Sequence, residues 1–492
     1  MIKTCKDLFD GFNCEVIGNE NQSITGISYR SDAVEQGNAF CCIVGLKSDG
    51  HSYAQDAVEK GARTLIVQHP VEISCTEEVT QVVVDDSRKA MAYAAASFYG
   101  NGSTKLDLVG VTGTNGKTTT TYLVNHIAKS QGKKVGLIGT VEISIDGQVQ
   151  KSSHTTPESS DLQHLFAEMN DAGCEVVSME VSSHALDLDR VWASQFKVTA
   201  FTNLTQDHLD YHKTFEAYYQ AKSLLFSKEY PASRVINIDD EWGQRLSKEC
   251  FVVDGSLITT GFNQEALIHP ISVDYKPDCT AVVLSVCGEE CQFTYPLVGK
   301  FNVENVMTAF GVALLLGYQK ESIIKALETA STVPGRIERI KADCDTDVSV
   351  YVDYAHTPDA IIKAVGSVKE ITKGRTIVVF GCGGNRDRTK RPLMGKAALQ
   401  GDFAVVTSDN PRYENPLDII DDIIEGIKGN EERYLVEPDR RSAIAKAISL
   451  ANPGDAILIC GKGHEDYQLV GDQVLSFDDR LVAAEELEKA FK

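Results

Sequence analysis

The chain has 492 residues, 42% of them hydrophobic and 24% charged, which is the balance of a soluble globular protein. It is too long for one hydrophobic core, and about one domain per ~150 residues suggests about three. A formal net charge of −22 argues against a non-specific nucleic-acid binder or an anionic-membrane binder, since both need a basic surface. A locally basic pocket for an anionic small molecule remains compatible with it.

The first residues, "MIKTCKDLFDGF", lack the apolar core of a signal peptide. No run of about twenty apolar residues predicts a membrane span, and "VMTAFGVALLLGY" is short enough to read as a buried helix. The thirteen cysteines are scattered. Neither Cys41/Cys42 nor Cys287/Cys291 has a second pair at zinc spacing, so reduced thiols in a cytoplasmic protein are expected.

In chain order, the β-branched runs "TLIVQ", "LDLVGVTG", "KVGLIG", "EVVSMEVS", "TIVVFGCG", "FAVVTSDN" and "DAILICGKG" alternate with helix-period segments. This pattern predicts βα units and parallel sheets, with the chemistry at the carboxyl ends of strands. The Gly/Asn/Ser cluster in "FYGNGSTKLDLVG" puts one break near Gly102, and the turn in "ETASTVPGRIERI" puts a second near Thr332. The expected domains are therefore 1–102, 103–332 and 333–492, all α/β.

The second piece opens on "VTGTNGKTTT", residues 111–120. A P-loop of the form G-x-x-x-x-G-K-[ST] would have glycine at 111, where Val111 stands. A strand ending in glycines and leading into "KTTTTYLVNHIAKSQ" nevertheless points backbone N–H groups and a helix dipole at an anion. Gly113, Thr114, Asn115, Gly116, Lys117, Thr118 and Thr119 form the candidate site. Lys117 would neutralise β- and γ-phosphates, and the Thr118 hydroxyl would ligate magnesium.

Further on, "VVSMEVSSHALDLDR" brings Glu180 to a strand end, where a carboxylate can bind Mg²⁺. "FTNLTQDHLDYH" clusters Asp207, His208, Asp210 and His212 after another strand. Lys222 in "FEAYYQAKSLLF" reads, on composition, as an exposed helix lysine. "GKFNVENVMTAFGVALLLG" reads as a packing helix with a polar first turn at Asn302, Glu304 and Asn305. "VYVDYAHTPDAI" sets Asp353 and His356 at a strand end, and "VFGCGGNRDRTKRPLMG" combines glycines and basic residues suited to an anion.

These motifs, in this order and over essentially the whole chain, resemble the Mur ligase family, which includes the folylpolyglutamate synthetases. That family's loop is G-T-N/K-G-K-T/S, so Val111 fits it. The resemblance implies a smaller N-terminal α/β domain, a central P-loop-type ATPase domain with a largely parallel sheet, and a C-terminal Rossmann-like domain. It implies ATP and Mg²⁺, with Thr118, Glu180, His208 and a carbamylated Lys222 at the metal. Asn305, Arg336 of the "VPGRIERI" hinge, Asp353 and His356 would lie at the ATP.

Within the family, D-N-P-R at Asp409, Asn410, Pro411 and Arg412 is similar to the branch that adds meso-diaminopimelate to UDP-N-acetylmuramoyl-L-alanyl-D-glutamate through an acyl phosphate. Diaminopimelate carries a carboxylate that lysine lacks, and a planar guanidinium binds it bidentately. By the same resemblance Arg386, Gly461 and Glu465 complete that pocket. Thr155 and Thr156 of "SSHTTPESSDLQHLF", with Ser182 and Arg190, would hold the muramoyl dipeptide. The uridine side departs from the usual D-S-R: Ser28, Tyr29 and Arg30 stand there.

Two readings stay within the family, lysine addition and folate polyglutamylation, and Arg412 and the T-T-P turn argue against both. A nucleotide-dependent switch is a different class, and its D-x-x-G and N-K-x-D patterns are not evident. An inactive scaffold is a third. A cytoplasmic monomer is expected, with the nucleotide-sugar and diaminopimelate as partners.

Overall fold

The computed structural model describes residues 2–45, 48–75, 78–152, 154–253 and 256–491. They form two compact units, the first Met1–Ala266 with Met307–Ile323, the second Leu267–Val306 with Ile324–Lys492. Among the described residues no helix is long and apolar enough to cross a membrane.

The first unit holds two larger sheets and the short pair Lys3–Thr4 with Ser23–Ile24. The N-terminal larger sheet is five-stranded, in the order Glu15–Ile17, Thr80–Val83, Thr64–Val67, Ala39–Cys41, Ile27–Ser28, and is parallel except for its first pair. The other is built on parallel strands in the order Val135–Ile138, Val176–Glu180, Asp107–Thr112, Val198–Phe201, Ser233–Asn237, Leu257–Thr260. The antiparallel strands Glu142–Ile145 and Gln148–Lys151 extend its first edge.

Val176–Glu180 and Val198–Phe201 are buried along their whole length, as strands covered on both faces must be. That is why their sequences read as continuous apolar runs. Helix Lys117–Ser130 buries Leu123, Val124 and Ile127, one stripe at helical spacing.

The two larger sheets of this unit meet through the helix Ser159–Asp171. The Tyr29 hydroxyl donates to Asp161 at 2.8 Å, and Arg88 pairs with Glu158 at 3.2 Å. The rings of Tyr99 and His164 stack with centroids 5.0 Å apart.

The second unit contains an antiparallel meander, Ile268–Tyr275, Thr280–Val286 and Glu289–Tyr295. It also contains a six-stranded sheet in the order Glu338–Arg339, Ser349–Asp353, Ala456–Cys460, Thr376–Phe380, Phe403–Val406, Tyr434–Val436, parallel after its first pair. Arg440, at the start of helix Arg440–Leu450, is entirely buried and pairs with the equally buried Asp479 at 2.7 Å. Its other guanidinium hydrogens reach the carbonyls of Ser408, 3.2 Å, and Cys460, 3.0 Å. One side chain thus fixes the carboxyl ends of two strands.

Removing one partner of a buried pair leaves the other charge uncompensated. Arg440→Met should therefore destabilise the folded chain by about 3–5 kcal/mol in chemical denaturation. Arg440→Met with Asp479→Leu should recover much of that loss, and a single-variant cost below about 1 kcal/mol would show that the pair contributes little.

Candidate active site

Adjacent parallel strands deliver their last residues to one edge of the central sheet. Val111 is buried in the strand and faces Glu180 on one neighbour and Ala200 on the other. The turn therefore begins only at Gly113. That glycine has φ of +146°, and a Cβ there would lie 1.9 Å from the Thr202 hydroxyl oxygen. Gly116, with φ of +88°, precedes the helix.

The turn is tied to the end of the next strand. Thr114 N donates to Asn203 O at 2.8 Å, Asn115 N to Asn203 Oδ1 at 3.0 Å, and the Thr202 hydroxyl to Asn115 O at 2.5 Å. The first turn of helix Lys117–Ser130 carries the positive end of the helix dipole. Lys117 Nζ donates to the carbonyls of Gly113, 3.0 Å, and Thr114, 2.9 Å. Thr118 and Thr119 are buried.

Glu180 is 1% exposed. Its carboxylate accepts from the Thr118 hydroxyl at 3.0 Å, from Thr140 N at 2.9 Å and from the Thr140 hydroxyl at 3.1 Å. All three donors are neutral, and among the described residues no lysine or arginine pairs with it. A buried carboxylate in that setting fits a divalent cation, which would compensate its charge.

The T-T-P turn lies alongside. The hydroxyls of Thr140 and Thr155 are 3.0 Å apart, and the Thr156 hydroxyl donates to Glu180 O at 2.9 Å and accepts from Ser182 N at 3.1 Å. Arg190 donates to Thr156 O at 3.0 Å and pairs with Glu158 at 2.9 Å. Thr155, Thr156, Ser182 and Arg190 are thus gathered beside Glu180 and Thr118.

Lys222, in helix Phe215–Ser223, is 2% exposed, so the composition-based expectation of an exposed lysine does not hold. The apolar face of its helix carries it inward with Tyr218 and Tyr219. Its Nζ donates to Gly113 O at 2.8 Å and lies 4.6 Å from the Tyr218 ring centroid. Burial, reinforced by the charge of Lys117, pushes this amine well below its ordinary value.

His208 has φ of +52°, and its ring lies edge-on to His184, 4.9 Å between centroids. Burial above all lowers it to about 4, with His184, Lys117 and Lys222 adding to the effect and Asp207 opposing it. His212 Nε2 is 2.9 Å from the Ser183 hydroxyl. Among the described residues no three His, Cys, Asp or Glu side chains converge in a way suited to a metal ion. The predicted set differs in kind: it has one carboxylate, one imidazole, one hydroxyl and a lysine.

On the uridine side, Tyr29 is held by Asp161, and burial with that contact pushes its phenol up. Arg30 is exposed and pairs with Asp32 at 2.7 Å. The Ser28 hydroxyl is turned onto the backbone of Arg30, donating to its carbonyl at 2.9 Å.

In the second unit, Asn305 donates to Asn302 Oδ1 at 3.2 Å, and both are buried in helix Lys300–Leu315. Asp353 ends its strand and accepts from Ile337 N and Ala355 N, each at 2.8 Å; burial pushes its carboxyl up. The Arg336 guanidinium lies 4.7 Å from the Tyr354 ring centroid, and His356 Nδ1 is 2.8 Å from Tyr354 O.

The D-N-P-R residues follow the strand Phe403–Val406. Asn410 Nδ2 donates to Glu465 Oε2 at 3.0 Å. Arg412 has φ of +52° and donates to Gly384 O at 2.9 Å. Pro411 O packs on Gly384, and Asp409 Oδ2 on Gly461, closely enough that a Cβ at either glycine would fall 1.9 Å and 2.6 Å away. The Arg386 side chain lies by Gly383, as does the Arg412 guanidinium. Asp409, Asn410, Pro411, Arg412, Gly461 and Glu465 therefore form one cluster.

Sequence reading passed over Thr140, Asn203, Tyr218 and Lys462. Asn203 and Lys462 lay inside "FTNLTQDHLDYH" and "DAILICGKG", but no spacing singled them out.

Three family models match the chain: Mur ligase family, catalytic domain, over residues 23–99; Mur ligase middle domain over 111–313; and Mur ligase, glutamate ligase domain over 335–463. A UDP-N-acetylmuramoyl-L-alanyl-D-glutamate–2,6-diaminopimelate ligase of Clostridium perfringens is 41% identical over 487 residues, 98% of this chain and 99% of the relative. The chain belongs to the Mur ligase family. A ligase of the same name from Geobacillus thermodenitrificans is 44% identical over 471 residues, 94% of each chain. A solved structure of a ligase with that name is 30% identical, covers 100% of this chain and 99% of its own, and superposes with a TM-score of 0.72. The α/β fold in three domains is that of the family.

Gly113 cannot carry a side chain without moving Thr202, which itself holds Asn115. Gly113→Ala is expected to weaken binding of a nucleoside triphosphate by more than about tenfold in calorimetry, with the far-ultraviolet spectrum unchanged. Undiminished affinity would detach this loop from phosphate binding.

Proposed function

We propose that the chain is an ATP-dependent ligase that joins meso-2,6-diaminopimelate to UDP-N-acetylmuramoyl-L-alanyl-D-glutamate, in peptidoglycan precursor synthesis. The observation that carries this reading is the D-N-P-R set clustered with Glu465, in a chain 41% identical to a ligase of that name over nearly its whole length. Domain limits near Gly102 and Thr332 go with it.

In the first step the side-chain carboxylate of the terminal D-glutamate attacks the γ-phosphorus of ATP. An acyl phosphate forms and ADP leaves. In the second, the amine of diaminopimelate attacks the acyl carbon, phosphate departs and the amine loses a proton. An amide does not form usefully from a free carboxylate, so phosphate is installed as the leaving group. Catalysis is then mostly positioning and charge neutralisation.

The turn of residues 113–119 cradles the phosphates at the start of the helix, and Lys117 turns from the carbonyls of Gly113 and Thr114 to the β- and γ-phosphates. Asn305, Arg336, Asp353 and His356 would also serve the nucleotide, Arg336 supplying charge at the transferring phosphoryl group. Thr118, Glu180, His208 and carbamylated Lys222 would hold Mg²⁺, which when bound supplies positive charge against the phosphates. His208 stays neutral above about pH 4, as a ligand must.

Thr155, Thr156, Ser182 and Arg190 bind the muramoyl dipeptide and bring its carboxylate beside the phosphate loop. Tyr29 and Arg30 line the uridine end. In the other pocket Arg412 and Arg386 take the distal carboxylate of diaminopimelate, and Asp409 and Glu465 take its ammonium.

The test supplies the purified chain with the nucleotide dipeptide, Mg-ATP and one amino acid at a time, and measures phosphate release. Release is expected with diaminopimelate. Release with L-lysine in its place would overturn the specificity, and release with no amine would indicate a plain nucleotidase.

Carbamylation needs an unprotonated amine, because nitrogen's lone pair attacks CO₂ and the proton leaves. Burial of Lys222 beside Lys117 favours that form. Enzyme equilibrated with ¹³C-bicarbonate is expected to show a carbamate carbon resonance that is absent in Lys222→Arg. A wild-type enzyme that is active without such a resonance would rule the modification out.

A further inference from the structure

Lys462 lies in the loop after strand Ala456–Cys460 and is 0% exposed. It is the hub of the cluster around Asp409, Asn410 and Glu465. Its Nζ donates to Asn410 Oδ1 at 2.9 Å and to Tyr467 O at 2.7 Å, and it lies 3.4 Å from Asp409 Oδ1 and 3.9 Å from Glu465 Oε2. Asn410 passes the constraint on. With its oxygen fixed by Lys462 and by Leu469 N, 3.0 Å, its amide nitrogen is turned toward Glu465 Oε2, 3.0 Å.

The charges explain why an ammonium is buried there. Asp409 and Glu465 are two carboxylates in one largely desolvated place. Burial, and then the neighbouring Asp409, push the Glu465 carboxyl up, while Lys462 opposes that shift. Arg412 opposes it as well. Asp409 Oδ1 is buried, accepts no hydrogen bond among the described residues and faces Lys462 at 3.4 Å.

We propose that Lys462 is a positioning residue for amino-acid specificity: acting through Asn410, it orients Glu465 to receive the distal ammonium of the incoming diamino acid. The inference rests on the ligase reading above. It makes Lys462 part of the recognition of the amino acid, without contact to the reacting atoms.

The experiment measures kcat and the KM of each of the three substrates for full-length wild type, Lys462→Met, Lys462→Gln, Asn410→Ala and the Lys462→Met/Asn410→Ala double variant, with the melting temperature of each. Lys462→Met is expected to raise the KM for diaminopimelate by about tenfold or more, the scale of a lost charged hydrogen bond. The KM values for ATP and the nucleotide-sugar should stay within about twofold. Lys462→Gln keeps a donor of similar reach and should recover part of the loss. It also stands in if the methionine variant does not fold, and an unchanged KM for diaminopimelate in it would then overturn the proposal.

The double variant should be less than additive, since the two side chains act in series. An unchanged KM for diaminopimelate in folded Lys462→Met would overturn the proposal. So would additive effects, or KM values for all three substrates that rise together, as a loosened fold would give. Wild type that releases no phosphate with diaminopimelate would fail the ligase reading instead.

Discussion

Two lysine amines meet on one backbone oxygen. Lys117 and Lys222 both donate to the carbonyl of Gly113, at 3.0 and 2.8 Å. Two ammonium groups so placed repel, and burial weighs against the charge of the one it covers. Lys222 is the buried one, and its amine is pushed far down. The shared carbonyl exists in that direction only because Gly113 takes a φ of +146°, against a threonine hydroxyl that allows no Cβ. Thr202 in turn is the first residue past a fully buried strand. A glycine, a packed strand end and a buried helix face together bring two amines to the same turn, and the deeply buried one is pushed down.

The second unit answers a related problem with the opposite sign. Asp409 and Glu465 crowd two carboxylates in the loops after two parallel strands of one sheet, and Lys462 sits between them. Behind it the buried Arg440, paired with Asp479, holds the carbonyls of Ser408 and Cys460. Those carbonyls immediately precede Asp409 and Gly461. Both units therefore place charged groups where parallel strands end, and both fix the backbone there with buried hydrogen bonds rather than with exposed loops.

The alternation of apolar runs and helix periods was enough to locate the parallel strands, because strands buried on both faces leave no ambiguity of face. Glu180 was legible as the last residue of such a run, and Val111 is explained by the same fact: it is a strand residue, and the turn is shorter than the generic loop. The burial of Lys222 was not legible from its composition, since "FEAYYQAKSLLF" has apolar residues on more than one side and the partner that covers it is more than a hundred positions away. Thr140 and Lys462 escaped for the same reason. A hydroxyl or an amine gains significance only from the carboxylate that another strand brings to it, and single-chain spacing carries no such pairing. Lys462 was, besides, hidden among the glycines of its motif.

Glu180 shows how the two kinds of contact are joined. Its side chain takes Thr118 of the phosphate turn, while its backbone carbonyl takes Thr156 of the T-T-P turn. Thr140 bridges the two, bonding the carboxylate with both its N–H and its hydroxyl and reaching the Thr155 hydroxyl at 3.0 Å. A shift of the T-T-P turn therefore cannot leave the Glu180 carboxylate where it was. Under the ligase reading, the segment that binds the acceptor peptide and the carboxylate that faces the phosphate turn are one mechanical unit. The carboxylate to be activated then arrives in fixed register with the phosphoryl group it attacks, which is the requirement that positioning catalysis imposes.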